Sequence, residues 1–353
     1  MSFHLDTLTT MAGAHTRSQD ELAATFRGKL AAVPDSKKIS QLVGFIYARS
    51  GISARHLEAD PVEIEARDDW YALVNEATFS LACRTLESLF SSGEEPGALD
   101  GLIIVSASYA GFPGLSRRLQ DRYDFPLEAR CYDLAAMGCG GSTQGLELAQ
   151  TLVTQGTCRR VLVLCVDVMG THGEARKHRI VPDVSQVVAH CLASDGAAAV
   201  VVADKPGPRT VLSYETGRLF TQLWPDSLDL NDFTADADNQ PFIAVGKDIR
   251  TRLLGQLQDL LSSLHGPLVM HPGGTALMQI LAEHFPTRKD EIHLALSILQ
   301  DNGNIGAASA LWVLERALQR GLDLNGTCQL FALGPGIVST LFTMDGVTTH
   351  VDH

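Results

Sequence analysis

The sequence predicts an α/β protein whose sheets are covered by helices on both faces, organised as two similar halves. Three observations carry this. Residues 102–105, 161–166 and 197–202 are continuously apolar and rich in Val, Ile, Leu and Ala, as strands are when both of their faces are buried. These runs alternate with segments of helical periodicity. The stretch Asp204-Lys205-Pro206-Gly207-Pro208 interrupts the alternation after a complete set of elements, and a second set follows. With 353 residues, 45% of them hydrophobic and 20% charged, the chain has a globular composition and enough apolar material for a large core.

The first expected element is a helix over residues 68–90, where Trp70, Leu73, Val74, Ala77 and Leu81 recur at helical spacing. The strand at 102–105 follows, then a short strand at 131–134, a helix over 142–153, and strands at 161–166 and 197–202. The boundary divides the chain into 1–205 and 206–353. In the second half a helix is expected over 249–264, a strand at 267–270, helices over 275–285 and 305–319, and terminal strands at 328–333 and 338–344. The strands of the two halves are expected to form two sheets packed around shared helices.

Several functional classes drop out early. Asp and Glu outnumber Lys and Arg by 41 to 28, a net charge of −13 without a long basic run, so neither nucleic acid nor an anionic membrane is an expected partner. The longest apolar stretch, 197–203, is far short of the ~20 residues that span a bilayer, and the segment at Met1 has no basic leader region, so a cytoplasmic location is expected. Seven cysteines, an odd number without C-x-x-C spacing, argue against a disulfide framework and against a metal site.

Three segments carry chemistry. Met137-Gly138-Cys139-Gly140-Gly141-Ser142 puts Cys139 in a glycine turn entering a helix, where free N–H groups favour thiolate and lower a cysteine pKa; a structural cysteine in a tight turn fits equally well. His271-Pro272-Gly273-Gly274 follows a strand, at the sheet end where α/β proteins bind ligands; capping of the next helix is the alternative. Asn302-Gly303-Asn304-Ile305-Gly306 enters another helix, with Asn304 as its N-cap or as an amide donor to a developing oxyanion. His172, His178 and His190 read as solvated or structural.

Taken together, Gly138-Cys139, Ser194-Asp195-Gly196-Ala197-Ala198, His271-Pro272-Gly273-Gly274, Gly303-Asn304 and Gly334-Pro335-Gly336 resemble, in order and interval, the thiolase-fold condensing enzymes, and among them type III polyketide synthases of the chalcone synthase kind. The segment Asn304 to Ser309 also looks like the initiating ketoacyl synthases. The resemblance implies a duplicated five-layered αβαβα thiolase fold and a homodimer, with Cys139, His271 and Asn304 as a catalytic triad. It implies decarboxylative Claisen condensation of an acyl thioester with a malonyl-type extender, delivered on CoA or an acyl carrier protein, without metal or redox cofactor. Arg49 and Arg55 fall where relatives grip the CoA phosphates, a surface salt bridge being the other reading. Gly334, Pro335 and Gly336 line the pocket, and Phe112, in Tyr109-Ala110-Gly111-Phe112-Pro113-Gly114, corresponds to a loop that reaches into the partner subunit. Ala193 and Ile243 stand where two gating phenylalanines are found in plant-like members, which implies room for a bulky or long acyl chain. Acyl transfer to an alcohol or amine on the same fold, and a scaffold subunit, are the competing readings; the retained Asn304 and Cys139 respectively weigh against them.

Overall fold

The apolar runs of the first half become the buried centre of a mixed sheet in the computed structural model of the chain. The structure describes residues 2–350 apart from 32, 34–35, 176–183, 229–230, 236–240, 246–256, 258–259, 261–263 and 335, with backbone alone at 231–235 and 241–245. Its strands are β1 (Phe3–Ala12), β2 (His15–Ser18), β3 (Ala54–Leu57), β4 (Gly101–Ser106), β5 (Arg130–Ala135), β6 (Arg160–Val168), β7 (Asp195–Ala203), β8 (Thr210–Tyr214), β9 (Thr216–Leu223), β10 (Asn231–Ala235), β11 (Pro241–Val245), β12 (Leu268–Met270), β13 (Gly326–Gly334) and β14 (Val338–Thr349).

Alternation within the central strands explains the two-sided burial. Ile103, Val105, Val161, Val163, Ala198 and Val200 face one apolar cluster, while Leu102, Ile104, Leu162, Leu164, Ala197 and Ala199 face another. The helix Trp70–Ser91 closes the second face through Leu73, Val74 and Leu81, and the helix Gly141–Thr154 closes the first through Leu146, Ala149 and Leu152. Every strand and helix expected in the first half is present at close to its expected position. In the second half the helices Thr275–His284 and Ser309–Gln319 and strands β12, β13 and β14 occur as expected. The helix expected over 249–264 lies almost wholly outside the described residues.

The two expected sheets are present, β12, β13, β14 and β9 in one and β8, β1, β7, β6, β4 and β5 in the other, with the helices Gly141–Thr154 and Ser309–Gln319 packed against strands of both; the two sheets are joined at one edge. One hydrogen-bonded path runs β12-β13-β14-β8-β1-β7-β6-β4-β5, with β9 alongside β14. The link is narrow: Thr348 and Thr349 of β14 pair with Ser213 and Leu212 of β8. It exists because β14 runs on to Thr349, past the apolar segment from which the strand was read. β1, unassigned from sequence, lies between β7 and β8 and pairs antiparallel with both. Its polar residues are matched inside the sheet: Asp6 accepts from Arg160 at 2.8 Å and from Thr210 at 2.6 Å. Among the described residues no helix is long and apolar enough to cross a membrane.

Candidate active site

Cys139 lies just beyond β5, in the 3-10 turn Gly138–Gly140, and the helix Gly141–Thr154 follows directly. The glycines are dictated by close approach: a Cβ on Gly141 would lie 2.3 Å from Val105 Cγ1, and one on Gly140 would lie 2.9 Å from Thr340 Cγ2. All seven cysteines are free thiols; Cys139 and Cys131 are half-buried and the other five are buried. The thiol does not have the lowered pKa that its place before a helix led us to expect. Desolvation, with the nearby Asp167 carboxylate, pushes it up to about 12, because burial penalises any charge and a like charge adds to that penalty.

His271 leaves the end of β12 and is held by the neighbouring strand, its backbone N–H donating to Phe331 O at 2.8 Å. The residue is buried and its Nδ1 has no hydrogen-bond partner. Desolvation lowers its pKa to about 4, so the ring is neutral. It is not a helix cap: the helix Thr275–His284 begins after Gly274 with no side-chain cap.

Asn304 follows the helix Lys289–Asn302, unassigned from sequence, and the left-handed Gly303 (φ 73°) that ends it. Its backbone bridges to the segment before β7: Asn304 N–H donates to Leu192 O at 2.8 Å, and Ser194 N–H donates to Asn304 O at 2.9 Å. The side chain joins two other pieces, Oδ1 accepting from Gly306 N–H at 3.0 Å and Nδ2 donating to Gly273 O at 3.2 Å. Asn304 is therefore not the N-cap of the following helix. That helix starts only at Ser309, after the 3-10 turn Gly306–Ala308.

β13 draws the three pieces together. Its Phe331 holds His271, and its last residue lies on the cysteine turn, where a Cβ on Gly334 would sit 3.2 Å from Met137 O. The 306–308 turn also packs on the 138–140 turn, with Ala307 Cβ 3.6 Å from a Cβ built on Gly141. Cys139 and His271 thus follow the C-terminal ends of β5 and β12, on the side where α/β sheets receive ligands. Beneath them lies a carboxylate that the sequence analysis missed. Asp167, near the end of β6, is 1% exposed; its Oδ1 accepts from Ala107 N–H at 2.7 Å and its Oδ2 from Ala307 N–H at 2.9 Å. Burial raises its pKa to about 6 against the pull of those donors. A single acid in the run Val163-Leu164-Cys165-Val166-Asp167-Val168 was the available signal.

The remaining candidates are scattered around this centre. Ala193 is half-buried and forms the backbone bridge to Asn304. Ile243 lies on β11, opposite Phe233 of β10, and Pro335 falls outside the described residues. Gly336 is buried with φ 66°. Phe112 is fully exposed at 102%. Arg49 is exposed, its guanidinium 4.3 Å from the Phe45 ring centroid. Arg55 needs correction, because a phosphate grip requires a surface guanidinium and this one is 1% exposed. It donates to Gln19 Oε1 at 3.0 Å, to Ala193 O at 2.7 Å and to His190 O. His190 is itself structural, its ring 4.4 Å from that of Phe26. His172 packs against Trp70 with centroids 5.3 Å apart, and His178 lies outside the described residues.

Residues 15–224 match the family model described as FAE1/Type III polyketide synthase-like protein. Solved structures resemble the whole chain. The C-terminal type III polyketide synthase domain of Steely1, a type I/III hybrid from Dictyostelium, superposes with a TM-score of 0.83 at 18% identity, over 98% of this chain and 99% of that one. The 1,3,6,8-tetrahydroxynaphthalene synthase of Streptomyces coelicolor gives 0.82 at 18%, over 97% and 99%. CsyB complexed with CoA-SH gives 0.83 at 19%, over 98% and 100%. The fold is the α/β thiolase fold of these enzymes.

Proposed function

The chain belongs to the FAE1/type III polyketide synthase-like family and is a condensing acyltransferase, and from that premise we propose how its residues carry the reaction. Cys139 is the nucleophile that takes an acyl group from a CoA thioester; the CoA bound to the structurally similar CsyB supports that carrier. Thiol and imidazole both rest neutral, so proton transfer from Cys139 to His271 accompanies attack rather than preceding it. His271 then returns the proton to the departing CoA thiolate. A malonyl-type thioester next loses carbon dioxide. Its enolate oxygen is stabilised by hydrogen bonds from His271 and from Asn304, whose Nδ2 has a second hydrogen besides the one given to Gly273. The carbanion attacks the acyl-Cys139 thioester, a carbon–carbon bond forms and the cysteine sulfur leaves.

The observation that carries this reading is the convergence of the Cys139 turn, the His271 loop and Asn304 through β13 and the 306–308 turn. The nucleophile comes from the half 1–205 and its two partners from 206–353, so the reaction draws on both. Arg49, exposed at the end of the helix Lys37–Arg49, is the proposed contact for CoA phosphates. A bulky or long acyl chain is the proposed substrate, because Ala193 and Ile243 stand where the resemblance puts gating phenylalanines, and Phe112 belongs to the interface of a homodimer. Intact-protein mass spectrometry with acyl-CoA and malonyl-CoA tests the reading: the wild type gains one acyl group, Cys139→Ser gains none, and carbon dioxide release marks condensation. A normal acyl adduct on Cys139→Ser would overturn the assignment, and acyl transfer without carbon dioxide would replace condensation by simple transfer.

A further inference from the structure

Asp167 is a buried carboxylate that the steps above leave unused, and its position is unusual. Its two oxygens face different loops. Oδ1 accepts from Ala107 N–H at 2.7 Å in the segment after β4, and Oδ2 accepts from Ala307 N–H at 2.9 Å in the turn after Asn304. The chain makes room for this second bond by a glycine: Gly306 has φ 61°, and a Cβ there would stand 2.2 Å from Asp167 Oδ2. Gly306 N–H in turn donates to Asn304 Oδ1, and Asn304 Nδ2 reaches Gly273 in the His271 loop. A continuous set of hydrogen bonds thus leads from β6 through the 306–308 turn to the amide of Asn304. The same turn packs on the one that holds Cys139.

We propose that Asp167 is a positioning residue of the condensation, its carboxylate clamping the 306–307 backbone so that the Asn304 amide is held beside the Cys139 turn. This rests on the roles given above to Cys139 and Asn304. Among the described residues, the titratable groups coupled to Asp167 are the thiols of Cys139, from the turn above it, and Cys165, two residues back on its own strand. The remaining neighbours that set its protonation are the backbone donors of Ala107, Ser108 and Ala307. The carboxylate therefore has a second effect, adding to the desolvation that keeps the resting Cys139 protonated.

Asp167→Asn is the decisive variant. A carboxamide can accept from one of the two N–H groups but must turn its own NH2 toward the other, so the clamp opens while the volume is kept. The expected result is a fall of about 10²-fold in malonyl-CoA decarboxylation, the size of effect that a displacement of about 1 Å produces. KM should change little, and acyl loading of Cys139 should be largely kept. In an Asn304→Ala background the same change should cost little more, because Asp167 acts through that amide. Iodoacetamide labelling of Cys139 should move to lower pH in Asp167→Asn with the melting temperature kept, whereas a general loss of packing would relieve desolvation of the thiol and move the labelling the same way only with a lowered melting temperature. Gly306→Ala presses on the carboxylate from the other side without removing its charge, and should depress decarboxylation without that labelling shift. Full decarboxylation by Asp167→Asn, additive losses with Asn304→Ala, or recovery of both variants only as unfolded protein would each overturn the proposal. If wild-type protein forms no acyl-Cys139 at all, the assigned roles of the triad fail instead, and the labelling profile still reports on Asp167.

Discussion

In the role proposed for Cys139, its proton leaves at the moment of attack, because burial and the Asp167 carboxylate disfavour the thiolate at rest. With the thiol raised to about 12 and the imidazole lowered to about 4, both groups rest neutral, and proton transfer between them becomes favourable only when a thioester carbonyl accepts the electrons. In the proposed reaction His271 and Asn304 matter most where negative charge appears without a covalent partner, at the enolate left by decarboxylation. Asn304→Ala and His271→Ala are therefore expected to lower malonyl-CoA decarboxylation by about 10²–10³-fold, the cost of one lost oxyanion donor, and to lower acyl loading less. Undiminished decarboxylation in both variants would return these residues to structural roles. At Ala193 the expected outcome is selective. Ala193→Phe adds a ring next to the Asn304 bridge and should depress activity with long or bulky acyl-CoA donors while sparing short ones; equal losses across a chain-length series would remove the proposed pocket.

At the scale of the element, the two arginines separate what the sequence could and could not reveal. Both stand in the segment that resembles a CoA-binding region, and sequence alone offered no way to distinguish them. Arg55 faces inward because Gln19, His190 O and Ala193 O, brought from two other parts of the chain, present acceptors to it. Arg55→Met leaves those acceptors without a donor and should destabilise the protein by about 3 kcal/mol or more, at roughly 1–3 kcal/mol for each buried group left unpaired. Arg49→Ala should leave the melting temperature unchanged and raise KM for CoA thioesters. Thermal melts together with a CoA titration distinguish the two, and an unchanged KM in Arg49→Ala would remove it from the site. The same contrast runs through the fold. Apolar strands such as β4, β6 and β7 were legible because two-sided burial writes itself as unbroken Val, Ile, Leu and Ala. β1 was not, because His4 and Asp6 are acceptable in a buried strand only once Ser213, Arg160 and Thr210 are beside them. Cys139, His271 and Asn304 could be singled out as candidates from segments that contain glycines close by, whereas Asp167 gains its meaning from backbone N–H groups some 60 and 140 residues away.

For the whole molecule, four buried groups pull stability in opposite directions with pH. Asp167 and Asp195 have pKa values raised by burial to about 6 and about 7, so what they contribute is present at low pH and is lost as pH rises through those values. His190 and His271, both lowered to about 4 by burial, contribute stability above pH 6.5 that is lost as pH falls toward 4. Between about pH 4 and 6 the two pairs offset, each group being worth about 1.4 kcal/mol per pH unit. His271→Gln removes one of the two histidines from that balance and should gain about 2 kcal/mol relative to wild type on going from pH 6.5 to 5. Denaturant melts at both pH values check it, and a difference that does not vary with pH would refute it. The exposed Phe112 is expected to be covered by a second subunit; Phe112→Asp should shift the sedimenting species toward monomer, whereas a wild type that sediments only as monomer would exclude the dimer.

The position of β1 also governs how the chain can be made. Phe3–Ala12 bonds on one side to Gly196–Ala203 and on the other to Thr210–Tyr214, so it leaves the ribosome about 190 residues ahead of its first partner. At translation rates of 5–20 residues per second it waits roughly 10–40 s with both edges unpaired. During that interval Phe3 and Leu5 are open to chaperones or to the equivalent strand of another nascent chain, and closure of the first half has to await synthesis of β7 and β8.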